Sequence, residues 1–331
     1  MRRPFADKRP LGPFMNRKQT VSQNTSLDNR DLGNVDVHFH TSENMEELAN
    51  ESVSLIVTSP PYNFNWDYNS YNDESNYVSE YLSLLARVFN ESYKKLMPEG
   101  RLAVNLPTID KQSSKGRSGN ISTASDVISM MVTSQTKFGA HAVTSGDIRK
   151  MRSNTDWLLE DHIIWNKGIQ SASTGLASLG GGRGRPFRFS LDSTHESIIV
   201  FQKPGKRNLD NVPTEYIKAS SLDKSFWTRT GDPPEGCSTY PQCHTTAKDN
   251  LWTAQTTNIF NENGEKVPAF PEVIPERLIK SYSFVGDTVV DPFAGAGTTL
   301  KVASNLDRSS VGYELREELK PLIKRNTGQD I

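Results

Sequence analysis

Cysteine is nearly absent from this chain of 331 residues: there are two, Cys237 and Cys243. So few thiols exclude a disulfide framework and point to a reducing compartment. With His244 they form an irregularly spaced partial ligand set, GCSTYPQCH. A structural zinc takes four ligands, so no metal is expected. Long apolar runs are missing as well. No window approaches the roughly 18 residues of a membrane span. The start, MRRPFADKRPLGPF, is positive but lacks the apolar stretch of a signal peptide, so a cytoplasmic location is expected. Nor does one sign of charge dominate: 38 Lys+Arg stand against 39 Asp+Glu, a net charge of −1. The protein is no polycation, and any nucleic-acid binding must come from local positive charge. Hydrophobic residues make up 35 %, enough for a core. The length suits one large domain, or one domain carrying a sizeable insertion.

Residues 1–34 are polar, basic and without periodicity, and read as an extended or disordered arm. From Val35 the pattern sharpens. VDVHFH alternates like a strand, and SENMEELANES reads as a short helix. VSLIV is the apolar run of a parallel strand buried on both faces. Residues 77–96 place Tyr77, Tyr81, Leu84, Leu85, Val88 and Phe89 on one helical stripe. Pro98 and Gly100 are expected to end that helix, and RLAVNLP to form the next strand. Strand, helix, strand in this order predicts an α/β fold with a parallel sheet. Residues 108–122 read as a polar mobile loop, 124–137 as a helix, and 147–160 as another. EDHIIWNKG and SIIVFQKP look like an antiparallel pair of strands around a long Gly-rich loop, about 171–188. Residues 206–256 are irregular and read as a small module or elaborated loops. The remainder is regular: helix FPEVIPERLIKSYS, then strand, glycine turn and helix in GDTVVDPFAGAGTTLKVASNL, then strand SSVGYEL and a charged helix at 316–325.

Two stretches carry chemistry. The first is TSPPY, residues 58–62, where a buried strand leaves through two prolines and an aromatic. The second is DPFAGAGTT, residues 291–299, between a strand and a helix. Gly295 and Gly297 allow a sharp turn and close approach of a ligand, and the helix start offers unpaired N–H groups to an anion. Glu314 stands 23 residues beyond Asp291, at the end of the next strand, the place of an acid that takes ribose hydroxyls. The turn is neither GxGxxG nor a phosphate loop, so pyrophosphate is not favoured. A nucleoside joined to an amino acid, S-adenosylmethionine, fits better.

With these two motifs the chain resembles the amino-group DNA methyltransferases, which carry [DNS]-PP-[YFW] and FxGxG motifs. The catalytic motif comes first here, the permuted order of the β group, and Ser-Pro-Pro-Tyr resembles the N4-cytosine enzymes of type II restriction–modification systems. The resemblance runs from about residue 35 to 325. It implies a Rossmann-like S-adenosylmethionine-dependent methyltransferase fold: a mixed, mostly parallel sheet with helices on both faces and target-recognition insertions. The expected layout is a catalytic half at 35–205, a target-recognition region at 206–256 and a cofactor-binding half at 257–331. It implies catalytic roles for Ser59, Pro60, Pro61 and Tyr62, and cofactor binding by Asp291, Pro292, Phe293, Ala294, Gly295, Gly297, Thr298, Glu314 and Thr58. Where many members have the Asp of a Gly-Asp pair, an ungapped count places His40, with Ser42 and Glu43 as further polar candidates.

The implied reaction is direct methyl transfer from a sulfonium to an exocyclic amine. Ser59 Oγ can accept one hydrogen bond from the amine, and the rigid Pro-Pro unit aims the Pro60 carbonyl as a second acceptor. Tyr62 offers a face on which a flipped base can stack. Neither cysteine follows a proline as in the C5-cytosine enzymes, which sets C5 chemistry aside. An N6-adenine target is the alternative, since the first motif residue varies between the two groups. RNA or protein-amide methylation and a non-enzymatic binder rank below both.

The partner implied is double-stranded DNA, with a restriction endonuclease acting on the same site in a prokaryotic cell. Residues 137–188 hold eight Lys/Arg against four Asp/Glu. Within GGGRGRPFR, Arg183, Arg185 and Arg188 can follow phosphates or read guanine edges. Lys224, Trp227, Arg229 and Tyr240 are further candidates in the target-recognition region.

Overall fold

The computed structural model describes residues 32–62, 78–108, 110–114, 117–121, 123–132, 157–168, 194–222 and 249–331. All lie in one compact unit, Asp31–Ile331. In chain order they form β1 (Val35–His38), β2 (Val53–Thr58), α1 (Val78–Lys95), β3 (Leu96–Pro107), β4 (Asp110–Ser114), β5 (Arg117–Ile121) and α2 (Thr123–Val132). Next come β6 (Leu158–Asn166), β7 (His195–Gln202), α3 (Thr214–Ala219), β8 (Leu251–Thr253), β9 (Ile259–Phe260), β10 (Lys266–Val267) and α4 (Val273–Tyr282). Last are β11 (Thr288–Asp291), α5 (Thr298–Asn305), β12 (Ser309–Tyr313), a 3₁₀ turn at Glu317–Leu319 and α6 (Lys320–Thr327).

Eight strands make one sheet in the order β1-β12-β11-β2-β3-β7-β6-β8. Only β7 runs against the others, antiparallel to both β3 and β6. All six residues of β2 are buried, as a central strand covered on both faces requires. Its side chains alternate. Ile56 packs with Tyr81, Leu85 and Phe89 of α1 and Val127 of α2, whereas Leu55 and Val57 pack with Ile274 and Leu278 of α4 and Val302 of α5. The helices therefore cover both faces, as expected. No described helix is long and apolar enough to cross a membrane.

Several local expectations change. SENMEELANES forms turns, not a helix. Short polar side chains there bond nearby groups: the Glu43 amide to Thr41 Oγ1, and Ser52 Oγ to the Ala49 carbonyl. Such bonds compete with helix, while buried Met45 and Leu48 anchor the segment to the core. Helix α1 ends at Lys95, before Pro98, and β3 starts at once. Pro98 and Gly100 sit in an irregularity of the β2–β3 pairing, which passes from Val53↔Leu96 to Leu55↔Arg101. Such bulges are where sheets tolerate proline. The polar stretch after Pro107 is not simply a loop, because β4 and β5 pair antiparallel. Of the helix expected at 147–160, residues 158–160 instead open β6, held in the sheet by pairing with β7. In the segment 206–256, β8 joins the main sheet beside β6, and Trp252 is buried against α4. Arg207 binds Asp287 through both guanidinium nitrogens at 2.8 and 2.7 Å, tying that segment to the approach to β11.

Candidate active site

The two chemical motifs are far apart in sequence but adjacent in space. Strands β11 and β2 pair in parallel, with Val289 opposite Leu55 and Val290 opposite Ile56. The chain goes from β2 to β3 on one side and from β11 to β12 on the other. Strand order therefore reverses between them, which is where an open α/β sheet leaves its ligand crevice. Thr58 Oγ1 donates to Asp291 Oδ1 at 2.7 Å, joining the two strand ends. Burial pushes the Asp291 carboxyl up to about 6, against the opposing bonds from Thr58 and the Phe293 amide.

Above this link lies a cavity of about 420 Å³. Ser59, Pro60, Pro61 and Tyr62 line one part of it, and Pro292, Phe293, Gly295 and Glu314 another. The volume is within the range of small-ligand sites. The other predicted cofactor residues, Thr58, Asp291, Ala294, Gly297 and Thr298, are buried beneath and do not line it. Arg183, Arg185, Arg188, Lys224, Trp227, Arg229 and Tyr240 fall outside the described residues, as do Cys237, Cys243 and His244.

The glycine turn differs from the expected anion cradle. Its amides are largely taken by the protein: Phe293 by Asp291 Oδ1, Ala294 by the Tyr313 carbonyl, Gly295 by Glu314 Oε2 and Gly297 by the Ala294 carbonyl. Gly297 has φ +76°, and a Cβ there would stand 3.0 Å from Ile323 Cγ2. This glycine closes the turn against α6 instead of admitting a ligand. Glu314 accepts from the Gly295 amide at 2.8 Å and from the Arg316 amide at 3.0 Å. A carboxylate fixed this way beside the cavity suits sugar hydroxyls and repels phosphate, so the residues present fit a nucleoside.

The Ser-Pro-Pro-Tyr end is held by groups not singled out from the sequence. Ser59 Oγ donates to the Tyr62 hydroxyl at 2.9 Å, and that hydroxyl donates to Glu196 Oε2 at 2.8 Å. Asn105 Nδ2 donates to both, at 2.6 and 2.7 Å. Lys167 Nζ binds Glu196 Oε1 at 2.9 Å. Burial, then the neighbouring Glu196, raises the Tyr62 phenol well above its ordinary value, so it stays protonated. Because β7 is antiparallel, Glu196 near its start sits at the same sheet edge as the end of β3, where Asn105 stands. Asn105 did leave a signal: it is the one polar residue inside the apolar run LAVNLP. Glu196 precedes SIIVF without any pattern that marks it.

His40, Thr41 and Ser42 also line the cavity, whereas Glu43 pairs with Arg87. His40 Nε2 lies 2.8 Å from Glu47 Oε1, and the Tyr313 hydroxyl donates to Glu47 Oε2 at 3.1 Å. The bond to the Thr41 carbonyl raises the His40 pKa against a smaller effect of burial, with further help from Glu47. Ligand atoms of His38, His40 and Glu47 are close enough to share a metal, but both Glu47 oxygens already have these partners.

A sheet of this order, with its cavity at the reversal point, places the chain among proteins of the methyltransferase fold. The chain belongs to the N6/N4 DNA methylases, whose family profile matches residues 53–325. It is 27 % identical over 323 residues to the type II methyltransferase M.MjaI of Methanocaldococcus jannaschii, covering 88 % of this chain and 90 % of that protein. Among solved structures it resembles TTHA0409 of Thermus thermophilus, a putative DNA modification methylase complexed with S-adenosyl-L-methionine. The TM-score is 0.58 at 23 % identity, covering 90 % of this chain and 97 % of that one. The cytosine-N4-specific PvuII DNA methyltransferase matches with a TM-score of 0.54 at 17 % identity, covering 90 % and 94 %.

Proposed function

We propose that this chain is a site-specific DNA methyltransferase that moves a methyl group from S-adenosyl-L-methionine to the exocyclic N4 of a flipped-out cytosine in duplex DNA. The observation that carries this reading is one cavity lined by both Ser59-Pro60-Pro61-Tyr62 and Gly295 with Glu314. The similarity to a type II methyltransferase supports a place beside a restriction endonuclease that cuts the same site.

Bound at the Gly295–Glu314 end, S-adenosylmethionine supplies an electrophilic methyl group on a sulfonium. Glu314 would hold the ribose hydroxyls there, with Pro292 and Phe293 forming the adjoining wall. At the other end the target amine is a poor nucleophile, because its lone pair is delocalised into the base. Ser59 Oγ and the Pro60 carbonyl accept its two N–H bonds and free that lone pair, a case of fixed dipoles meeting developing charge. The Tyr62 ring, anchored through its hydroxyl to Glu196 and Asn105, is the plate against which the base stacks. Stacking returns about 1–3 kcal/mol per base, against a flipping cost of a few kcal/mol. Arg183, Arg185 and Arg188 follow the DNA phosphates. Serine at position 59 favours cytosine over adenine.

The test is incubation with labelled S-adenosylmethionine and mixed duplex DNA, then digestion to nucleosides and mass spectrometry. N4-methylcytosine is expected. N6-methyladenine overturns the choice of base, and unlabelled DNA overturns the reading altogether.

A further inference from the structure

We propose that Glu196, acting through the Tyr62 hydroxyl, fixes the direction of the Ser59 hydroxyl and so makes Ser59 an acceptor toward the substrate amine. The proposal rests on the reading above, in which Ser59 holds that amine.

A carboxylate at position 59 could only accept hydrogen bonds. A serine can also donate, and a hydroxyl that donates to the amine nitrogen ties up the lone pair needed for attack. Something must draw the serine proton elsewhere. Lys167 stands on Glu196 Oε1, and Glu196 Oε2 is left for Tyr62 and Asn105. With Glu196 as a carboxylate, the Tyr62 proton must lie on the Glu196 side. Otherwise two oxygens would face each other at 2.8 Å with no proton between them. Asn105 Nδ2 reinforces this arrangement. It lies within 2.7 Å of both oxygens, and its partnership with a carboxylate identifies it as the amide nitrogen. With its proton committed, the Tyr62 oxygen can only accept from Ser59, at 2.9 Å. The one Ser59 proton is then used inside the protein, and the remaining lone pairs of Oγ are left for the cavity that Ser59 lines. Glu196 is thus a positioning residue: acting through the Tyr62 hydroxyl, it decides which way a catalytic hydroxyl points.

The measurement is single-turnover methyl transfer at saturating DNA and S-adenosylmethionine, with both affinities and the melting temperature measured separately. Ser59→Ala and Glu196→Ala should each slow transfer by roughly 100-fold, the effect of losing one preorganised polar group, with affinities kept. The double variant should be no slower than the slower single one, since at saturating DNA the proposal routes the effect of Glu196 on the rate through Ser59. Multiplying losses overturn the proposal, as does a Glu196→Ala variant as fast as the wild type. Glu196→Gln can still accept from Tyr62 and should recover much of the rate; a Gln variant as slow as Ala counts against the proposal. If Glu196→Ala fails to fold, Tyr62→Phe probes the same chain from its middle. It keeps the ring and should be as slow as Ser59→Ala, with no added loss in the Ser59→Ala, Tyr62→Phe double variant. A wild-type chain that methylates no DNA refutes the underlying reading, and the proposal with it. An active wild type with multiplying losses refutes the proposal alone.

Discussion

Asp291 ties the cofactor strand to the catalytic strand while carrying a carboxylate that is only 3 % exposed. Its carboxyl is pushed from 3.8 to about 6 by burial, although Thr58 Oγ1 and the Phe293 amide donate to it. A folded-state pKa above the unfolded one means stability that is fully present below 3.8 and lost as pH rises through about 6. The shift of about two units corresponds to about 3 kcal/mol at 1.36 kcal/mol per unit. That is a large share of a typical total of about 5–15 kcal/mol. Asp291→Asn keeps an Oδ1 for Thr58 and Phe293 but cannot ionise. Urea unfolding of wild type and variant from pH 4 to pH 8 isolates the effect, because other titrating groups cancel in the difference. The advantage of the variant should grow by about 2–3 kcal/mol across this range, mostly below pH 6. A flat difference, or one favouring the wild type increasingly as pH rises, would refute the claim that burial outweighs the hydrogen bonds from Thr58, the Phe293 amide and Thr299.

Glu314→Ala should weaken S-adenosylmethionine binding roughly 10- to 100-fold, the value of a charged hydrogen bond; unchanged affinity by calorimetry removes Glu314 from the cofactor site. Gly297→Ala should destabilise the fold by roughly 1–3 kcal/mol in urea unfolding, the cost of a left-handed non-glycine residue, and an unmoved midpoint contradicts that. The His40–Glu47 pair should stabilise most between pH 4.5 and 6.5. Glu47 is lowered from 4.5, so its share disappears as pH falls through its folded value, while His40 is raised from 6.5, so its share disappears as pH climbs through its own. The melting-temperature gap between wild type and His40→Gln should peak in that window; a gap that widens above it contradicts the assignment.

Much of the architecture can be read from the chain because its central strands are short apolar runs buried on both faces. VSLIV, TVVD and SIIVF carry that mark, and the glycine turn and the apolar stripe of α1 are legible by patterns of their own. The turn segment at 42–52 does not. Its apolar spacing fits a helix, while the bonds of Thr41 and Ser52 to backbone groups compete with one. The β4–β5 pair is hidden because polar hairpins lack a hydrophobic period. Of the site, Ser59, Tyr62, Gly295 and Glu314 stand in motifs, whereas Glu196 reaches the cavity because β7 runs backwards through the sheet, and Lys167 because β6 ends at the same rim. Direction within a sheet is set by pairing partners far away in sequence, which no local pattern records.

The Lys167–Glu196 contact also closes a ring of chain. Strand β6 ends and β7 begins at the same rim, so the 29-residue separation between the two partners is clasped at its base. Each doubling of such a loop adds only about 0.6 kcal/mol of closure entropy. A change in the number of residues between Lys167 and Glu196 therefore costs the fold little, and the clasp and the hydroxyl chain beyond it keep their places.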